Sequence, residues 1–135
     1  MKAFITAIAC LASLAGLTLA QAQTDLHTPW DQVLGAYVAE SDDGVNRFDY
    51  AGLRANSNDR AALTAYIERL EATQVSALTD DERFAFWANL YNAVTVRLIV
   101  DEAPENSIRQ IRPRPWSIGP WGVNRVEVEG RALSL

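Results

Sequence analysis

The strongest structural signal in this chain is residues 79–100, TDDERFAFWANLYNAVTVRLIV. Thr79 followed three residues later by Glu82 is a capping box, which predicts the start of a helix. From Phe84 to Val100 the sequence is apolar on nearly every side of that helix. Three acidic residues just before the run and an arginine within it argue against a membrane span. A helix that is apolar all round is normally buried all round, so we expect a buried central helix.

Two asparagines within this helix are the first candidate functional residues. Asn89 and Asn92 are three residues apart and therefore share one face of the helix. Leaving a buried amide without hydrogen-bond partners costs about 1–3 kcal/mol. We expect both asparagines to be buried, either bonded to the backbone of neighbouring loops or forming the polar floor of a pocket. Trp87, expected to be mostly buried, and Tyr91 would then be walls of that pocket, or simply part of the core.

Two further helices and a strand are predicted before the central helix. Thr28 is a suitable N-cap for a first helix, with Pro29 at its first position and an apolar face that continues to Val38. Alternating polar and apolar residues predict a short strand from Val45 to Tyr50. A second helix is expected from about Asp59 to Ala72, capped by the preceding Ser57 or Asn58.

A hairpin is predicted after the central helix. Pro104 stops the helix, and Arg112 to Gly122 reads as a loop. Val123 to Val128 and Arg131 to Leu135 then read as two strands. The sequence predicts an α+β fold, with three N-terminal helices including the buried central one, followed by a β-hairpin that begins a sheet. Because the second strand reaches Leu135, we expect the natural domain to continue past this sequence.

Three arginines near the predicted loop are the second candidate site. Arg109, Arg112 and Arg114 alternate with prolines that would stiffen the chain. Guanidinium groups suit bidentate recognition of carboxylate or phosphate, which leaves a small anionic or polar ligand as a candidate partner. The alternative is a solvated loop whose arginines pair with the acidic half of the chain.

The first residues predict export. Lys2 precedes an apolar run from Ala3 to Leu19, and Ala20-Gln21-Ala22 is a small-x-small cleavage site. We expect cleavage before Gln23 and a secreted or periplasmic protein, the alternative being an uncleaved anchor. The N-terminal portion of a domain would then occupy residues 23–135, with no membrane association after cleavage.

Composition excludes several chemistries from the mature chain. The only cysteine, Cys10, lies in the predicted signal peptide, and His27 is the only histidine. We expect His27 at the surface, so neither a Cys-His dyad nor a Ser-His-Asp triad can form in the interior, and a zinc site with His or Cys ligands is excluded. No cofactor or metal is indicated. The net charge of −5 argues against nucleic-acid binding.

Two motifs in this sequence resemble the domain of unknown function 547 family. They are Phe48-Asp49-Tyr50-Ala51-Gly52-Leu53 and the segment FWANLYNAVTV at 86–96. Pro104, Ser107-Ile108-Arg109 and Val128-Glu129-Gly130-Arg131 follow in the expected order, so the resemblance spans roughly Trp30 to Leu135.

The resemblance implies that family members continue into an Ile-Glu-His-Gly motif and a segment rich in Gly and Cys, which this sequence lacks. Two functions stay open. One is an exported ligand-binding or structural module. The alternative is the N-terminal part of a hydrolase or acyl-transferase, papain-like or transglutaminase-like in arrangement, whose catalytic His and Cys lie beyond this chain.

Overall fold

A computed structural model describes residues 26–135, and within this range the chain forms four α-helices and two short antiparallel hairpins. Helix α1 is described from residue 26 and ends at residue 37. The other elements are, in chain order, β1 (Val38–Ala39), β2 (Arg47–Phe48), α2 (Tyr50–Ala55), α3 (Ser57–Glu71), α4 (Asp80–Glu102), β3 (Val126–Val128) and β4 (Arg131–Leu133). Single 3₁₀ turns lie at Val75–Ala77 and Ile108–Gln110.

The predicted α+β class is confirmed, and one apolar core holds the elements together. Helices α2, α3 and α4 pack against one another, and β3 packs against α3. Arg54 of α2 donates from Nε to the carbonyl of Val100 at 2.9 Å, which ties α2 to the last turns of α4. The core is formed by apolar and aromatic side chains, namely Trp30, Val33, Leu53, Leu63, Tyr66, Ile67, Leu70, Val75, Phe86, Leu90, Ala93, Val94, Val96, Val100 and Val128.

Helix α1 begins earlier than the sequence predicted. Thr28 was expected as its N-cap, but residues 26 and 27 are already helical. Leu26 packs against the core, and the Nδ1 atom of His27 lies 2.8 Å from the hydroxyl of Tyr66. These tertiary contacts favour the extra helical residues, which a local capping rule does not take into account.

Helix α2 was missed by the sequence analysis, which placed a strand from Val45 to Tyr50. Only Arg47 and Phe48 are in that strand, because Asp49 caps a helix instead. Its carboxylate accepts from the backbone N–H of Gly52 at 2.8 Å. A Cβ on Gly52 would collide with the Asp49 carboxylate, so the glycine permits this close cap.

Helix α3 runs from Ser57 to Glu71, close to the predicted Asp59 to Ala72. Its cap is Asn56, whose side chain accepts from the N–H groups of Asn58 and Asp59, rather than the expected Ser57 or Asn58.

The C-terminal hairpin is confirmed, with shorter strands than predicted. Val126 pairs with Leu133 and Val128 pairs with Arg131. The connecting residues Glu129 and Gly130 both have positive φ, 48° and 75°. Positive φ at both central positions is the geometry of a type I′ turn, whose twist matches that of a two-residue hairpin.

The predicted signal peptide and its cleavage site lie outside the described residues. Within residues 26–135, α4 included, no helix has the length and apolar character to cross a membrane.

Candidate functional site

Helix α4 carries most of the candidate residues and begins with the predicted capping box. The backbone N–H of Thr79 donates to the Glu82 carboxylate at 2.9 Å, and the N–H of Glu82 donates to the Thr79 hydroxyl at 3.4 Å. Donation from the backbone N–H of Thr79, and from its hydroxyl at 2.8 Å, to the carboxylate holds the pKa of Glu82 below its ordinary value. The helix ends at Glu102, with Ala103 in the left-handed conformation and Pro104 following, as expected of a helix stop.

The prediction that α4 is buried all round was wrong. Phe84, Trp87 and Tyr91 are 79%, 39% and 52% exposed and lie along one side of the helix. Asn92 is exposed and Asn89 is half-buried, so neither is the fully buried amide that was expected. Helices α2 and α3 pack against the side of α4 that carries Phe86 and Ala93, whereas the flank that carries Phe84, Trp87 and Tyr91 stays partly exposed beside the C-terminal hairpin.

Asn89 and Asn92 lie together in a pocket of about 250 Å³, which we call the polar pocket. Thr95 lines it on the same helix, although its hydroxyl is engaged with the carbonyl of Tyr91 at 2.7 Å. The complete lining comprises Trp30, Leu34, Phe48, Tyr50, Asn89, Asn92, Thr95 and Val96.

The walls of the polar pocket are aromatic and come from elements that precede α3. The rings of Phe48 and Tyr50 lie 4.9 Å apart between centroids, and Trp30 stacks on Tyr66 with an interplanar angle of 2°. Trp87 and Tyr91, the expected walls, are not part of this pocket. Phe48 and Tyr50 were singled out only as part of a family motif, which was the one sequence signal for their position.

The polar pocket has no acidic or basic side chain in its lining. Its only titratable group is the phenol of Tyr50, whose pKa is raised by burial, so it is neutral near pH 7. The two asparagine amides each offer donors and an acceptor. The lining therefore combines uncharged hydrogen-bonding groups with aromatic rings.

Trp87 and Tyr91 instead line a second concavity of about 280 Å³, which we call the apolar groove. It lies between α4 and the β3–β4 hairpin. The helix contributes Trp87, Leu90, Tyr91 and Val94, and the hairpin segment contributes Arg125, Val126, Leu133, Ser134 and Leu135. Arg125 is its one charged lining residue, and sequence reasoning did not select it.

The three candidate arginines are not brought to either concavity. Arg109, Arg112 and Arg114 are all exposed, on the segment that follows the helix stop. The segment is held by its own backbone contacts, such as the bond from the Ser117 hydroxyl to the Arg114 carbonyl at 2.8 Å. The geometry therefore separates the arginines from the two asparagines.

A third concavity of about 250 Å³ lies between α3 and α4 and is charged. Arg60 and Asp101 face each other across it at 3.6 Å, with Arg97 beside them. Because both partners of the ion pair are about half exposed, the pair contributes little to stability.

His27 lies within α1, half-buried against Tyr66, and not at the exposed position that was expected. Burial lowers its pKa from the ordinary value of 6.5, against a smaller opposing effect of Asp31. Its Nε2 atom is buried and has no hydrogen-bond partner within the described part of the chain. Between residues 26 and 135, no group of three or more His, Cys, Asp or Glu side chains is arranged to hold a metal ion.

Residues 75–135 match the family described as "Protein of unknown function, DUF547". The matched range includes α4 and the C-terminal hairpin, and it leaves out the earlier motif at Phe48–Leu53. No curated protein and no solved structure matches the chain significantly.

Proposed function

The chain belongs to the DUF547 family over residues 75–135, and from this premise we propose that it is an exported ligand-binding module. Its proposed site is the polar pocket, and its proposed ligand is a small uncharged molecule that carries hydroxyl or amide groups. This proposal is supported by the fact that Asn89 and Asn92 line the same pocket as Phe48 and Tyr50.

The chemistry of the lining favours a neutral ligand over an anion. A cationic side chain would favour an anion, but the pocket lining has none, and Arg109, Arg112 and Arg114 all lie outside the pocket. Amide side chains can donate to and accept from hydroxyl or amide groups, while Phe48 offers an aromatic surface for the less polar side of the ligand.

Export is the second part of the proposal, and it rests on the sequence of the first 22 residues. Lys2, the apolar run and Ala20-Gln21-Ala22 have the order of a secretory signal. Expression of the whole chain in a bacterium, followed by N-terminal sequencing of the released protein, should give a chain that starts at Gln23. A released or cell-bound protein that still starts at Met1 would contradict this part.

The alternative function, a hydrolase or acyl-transferase, places its catalytic His and Cys beyond this chain, and the one histidine of the described residues does not serve it. His27 is bonded to Tyr66 and lines neither the polar pocket nor the apolar groove.

Calorimetric titration tests the proposed ligand class. The probe is N-acetylglucosamine, which carries both hydroxyl and amide groups, and the comparison is glucosamine, which has the same ring with a positive charge. We expect binding of the neutral sugar only. Asn92→Ala should weaken it about tenfold through loss of its hydrogen bonds.

The matched control is Asn106→Ala, an exposed asparagine outside the pocket. It should leave the affinity unchanged. Equal effects of the two substitutions, equal binding of both sugars, or no binding of either would each count against the proposal.

A further inference from the structure

We propose that the apolar groove is a second binding site, which takes a small amphipathic carboxylate. In this arrangement Arg125 pairs with the carboxylate, and the side chains of α4 and the hairpin hold the aliphatic tail. The site lies on the opposite flank of α4 from the polar pocket, and the two share no lining residue.

The walls of the groove are apolar surface that the described part of the fold leaves open to solvent. Trp87 and Tyr91 are 39% and 52% exposed on the helix side, and Leu133 and Leu135 are half-buried on the hairpin side. Exposed apolar surface gathered in a concave site is typical of ligand-binding grooves. Burial of an aliphatic tail here would be favourable by about 0.8 kcal/mol for each methylene removed from water.

Arg125 indicates which chemical group the other end of the ligand carries. It is half-buried at the groove, its Nε atom is buried without an acceptor, and none of the ion pairs between described residues includes it. A guanidinium binds a carboxylate through two parallel hydrogen bonds, and its two terminal Nη groups can be the donors. A carboxylate ligand would therefore supply the opposite charge that no ion pair between described residues gives this guanidinium.

The position of Arg125 is fixed by its backbone. Its N–H donates to the carbonyl of Leu133 at 2.8 Å, and its own carbonyl accepts from Arg97 at 3.4 Å. These bonds join the start of the hairpin to β4 and to α4. The guanidinium is thus attached to a backbone that is held on both sides of the groove.

The volume of the groove limits the ligand to a short tail. If each carbon takes about as much room as a water molecule in the liquid, roughly 30 Å³, then a groove of about 280 Å³ holds about nine carbons. Octanoate is a suitable probe. Octanol has the same tail without the charge, and octylammonium reverses the charge.

The experiment measures the affinity of the three probes by the change in tryptophan fluorescence. Trp87 in the groove wall is the reporter, and Trp87→Phe should abolish the change. We expect octanoate to bind about tenfold more tightly than octanol, and octylammonium no more tightly than octanol. Arg125→Gln should remove the preference for octanoate and leave octanol binding within about twofold.

Two further variants make the test specific. Tyr91→Ala should weaken octanoate and octanol to the same extent, because it removes apolar wall and no charge. Arg112→Gln makes the same charge change at an exposed position outside the groove and should have no effect. If Arg125→Gln does not fold, Arg125→Lys, which keeps the charge and loses the paired geometry, should bind octanoate several-fold more weakly.

Several results would overturn the proposal. Equal binding of octanoate and octanol, or an octanoate preference that survives Arg125→Gln, would mean that Arg125 does not recognise a carboxylate. A dimer in sedimentation experiments that binds neither probe would mean that a second copy of the chain occupies the groove. Absence of any fluorescence change in a monomeric protein would mean that the groove is not a site for this class of ligand.

Discussion

Two flanks of the same helix, α4, differ in chemical character. One flank carries Asn89 and Asn92 into the polar pocket, and the other carries Trp87 and Tyr91 into the apolar groove. The apolar side chains are partly exposed, whereas the polar side chains are partly covered by aromatic rings. The hydrophobicity of a helix sequence therefore indicates how much apolar surface the helix has. It does not indicate which side of the helix the rest of the fold covers.

The covered side of α4 is set by its neighbours in space. Phe86, Leu90 and Ala93 recur at helical spacing and face α2 and α3. Trp87 and Tyr91 follow these positions by one residue, which turns them about 100° around the helix. A helix that is apolar on several faces can pack through any of them. The positions of α2 and α3 determine which face of α4 is buried.

The largest predicted effect distinguishes the covered side from the exposed flank. Phe86 is fully buried and Trp87 is 39% exposed, although they are adjacent and their rings are in edge contact. We expect Phe86→Ala to lower the free energy of unfolding by about 3–5 kcal/mol, and Trp87→Ala by about 1–2 kcal/mol. Urea unfolding measures both. A loss at Trp87 equal to that at Phe86 would show that this flank is buried.

A smaller effect is expected at the hairpin that forms the far wall of the apolar groove. Gly130 has φ of 75°, a conformation that costs a residue with a Cβ about 1–2 kcal/mol. Gly130→Ala should therefore lower the free energy of unfolding by that amount. Gly35, helical and with open space around it, is the matched control, and Gly35→Ala should stabilise by about 0.5–1 kcal/mol. Stabilisation by both substitutions would rule out the type I′ turn.

The capping box stabilises the start of α4, the helix to which both flanks belong. Thr79→Ala removes the acceptor for the N–H of Glu82 and should cost about 1 kcal/mol in thermal or urea unfolding. It should leave the affinities of the polar pocket and the apolar groove unchanged. Thr64→Ala, on the exposed side of α3, should change stability by less than about 0.5 kcal/mol. A loss of only one of the two binding activities in Thr79→Ala would mean that the flanks do not share this support.

The smallest effect concerns the aromatic wall of the polar pocket, where His27 contacts Tyr66 and Tyr66 stacks on Trp30. Burial lowers the pKa of folded His27 below 6.5, so the unfolded chain takes up the proton more readily. Stability from neutral His27 is complete above pH 6.5 and is lost as the pH falls through the lowered pKa. His27→Gln should flatten the dependence of unfolding free energy on pH as the pH falls below 6.5. An unchanged slope would contradict the buried, neutral histidine.

Local signals in the sequence were sufficient for part of the fold. The Thr79–Glu82 capping box, the stop at Pro104 and the hairpin around Glu129-Gly130 all depend on residues close in sequence, and the structure has all three. Helix α2 was missed because Asp49 suits both the alternation of a strand and an N-cap. The start of α1 was misplaced because the contact between His27 and Tyr66 joins residues far apart in sequence.

The candidate site was predictable only in part, for the same reason. That Asn89 and Asn92 share a face follows from helical geometry. That Phe48 and Tyr50 are opposite them depends on how α2 packs on α4, which no local pattern contains. The relation of Arg125 to Trp87 likewise depends on the docking of the hairpin against α4.

The accessibility of Trp87 to a quencher shows whether this apolar flank of α4 is exposed to solvent. The measurement is acrylamide quenching of tryptophan fluorescence in a variant with Trp116→Phe and Trp121→Phe, compared with the same variant carrying Trp87→Phe. The second variant retains only the buried Trp30, so the difference between the two isolates Trp87. We expect acrylamide to quench the emission of Trp87 readily, and octanoate to protect it. Emission from Trp87 as resistant to acrylamide as that of Trp30 would contradict this expectation.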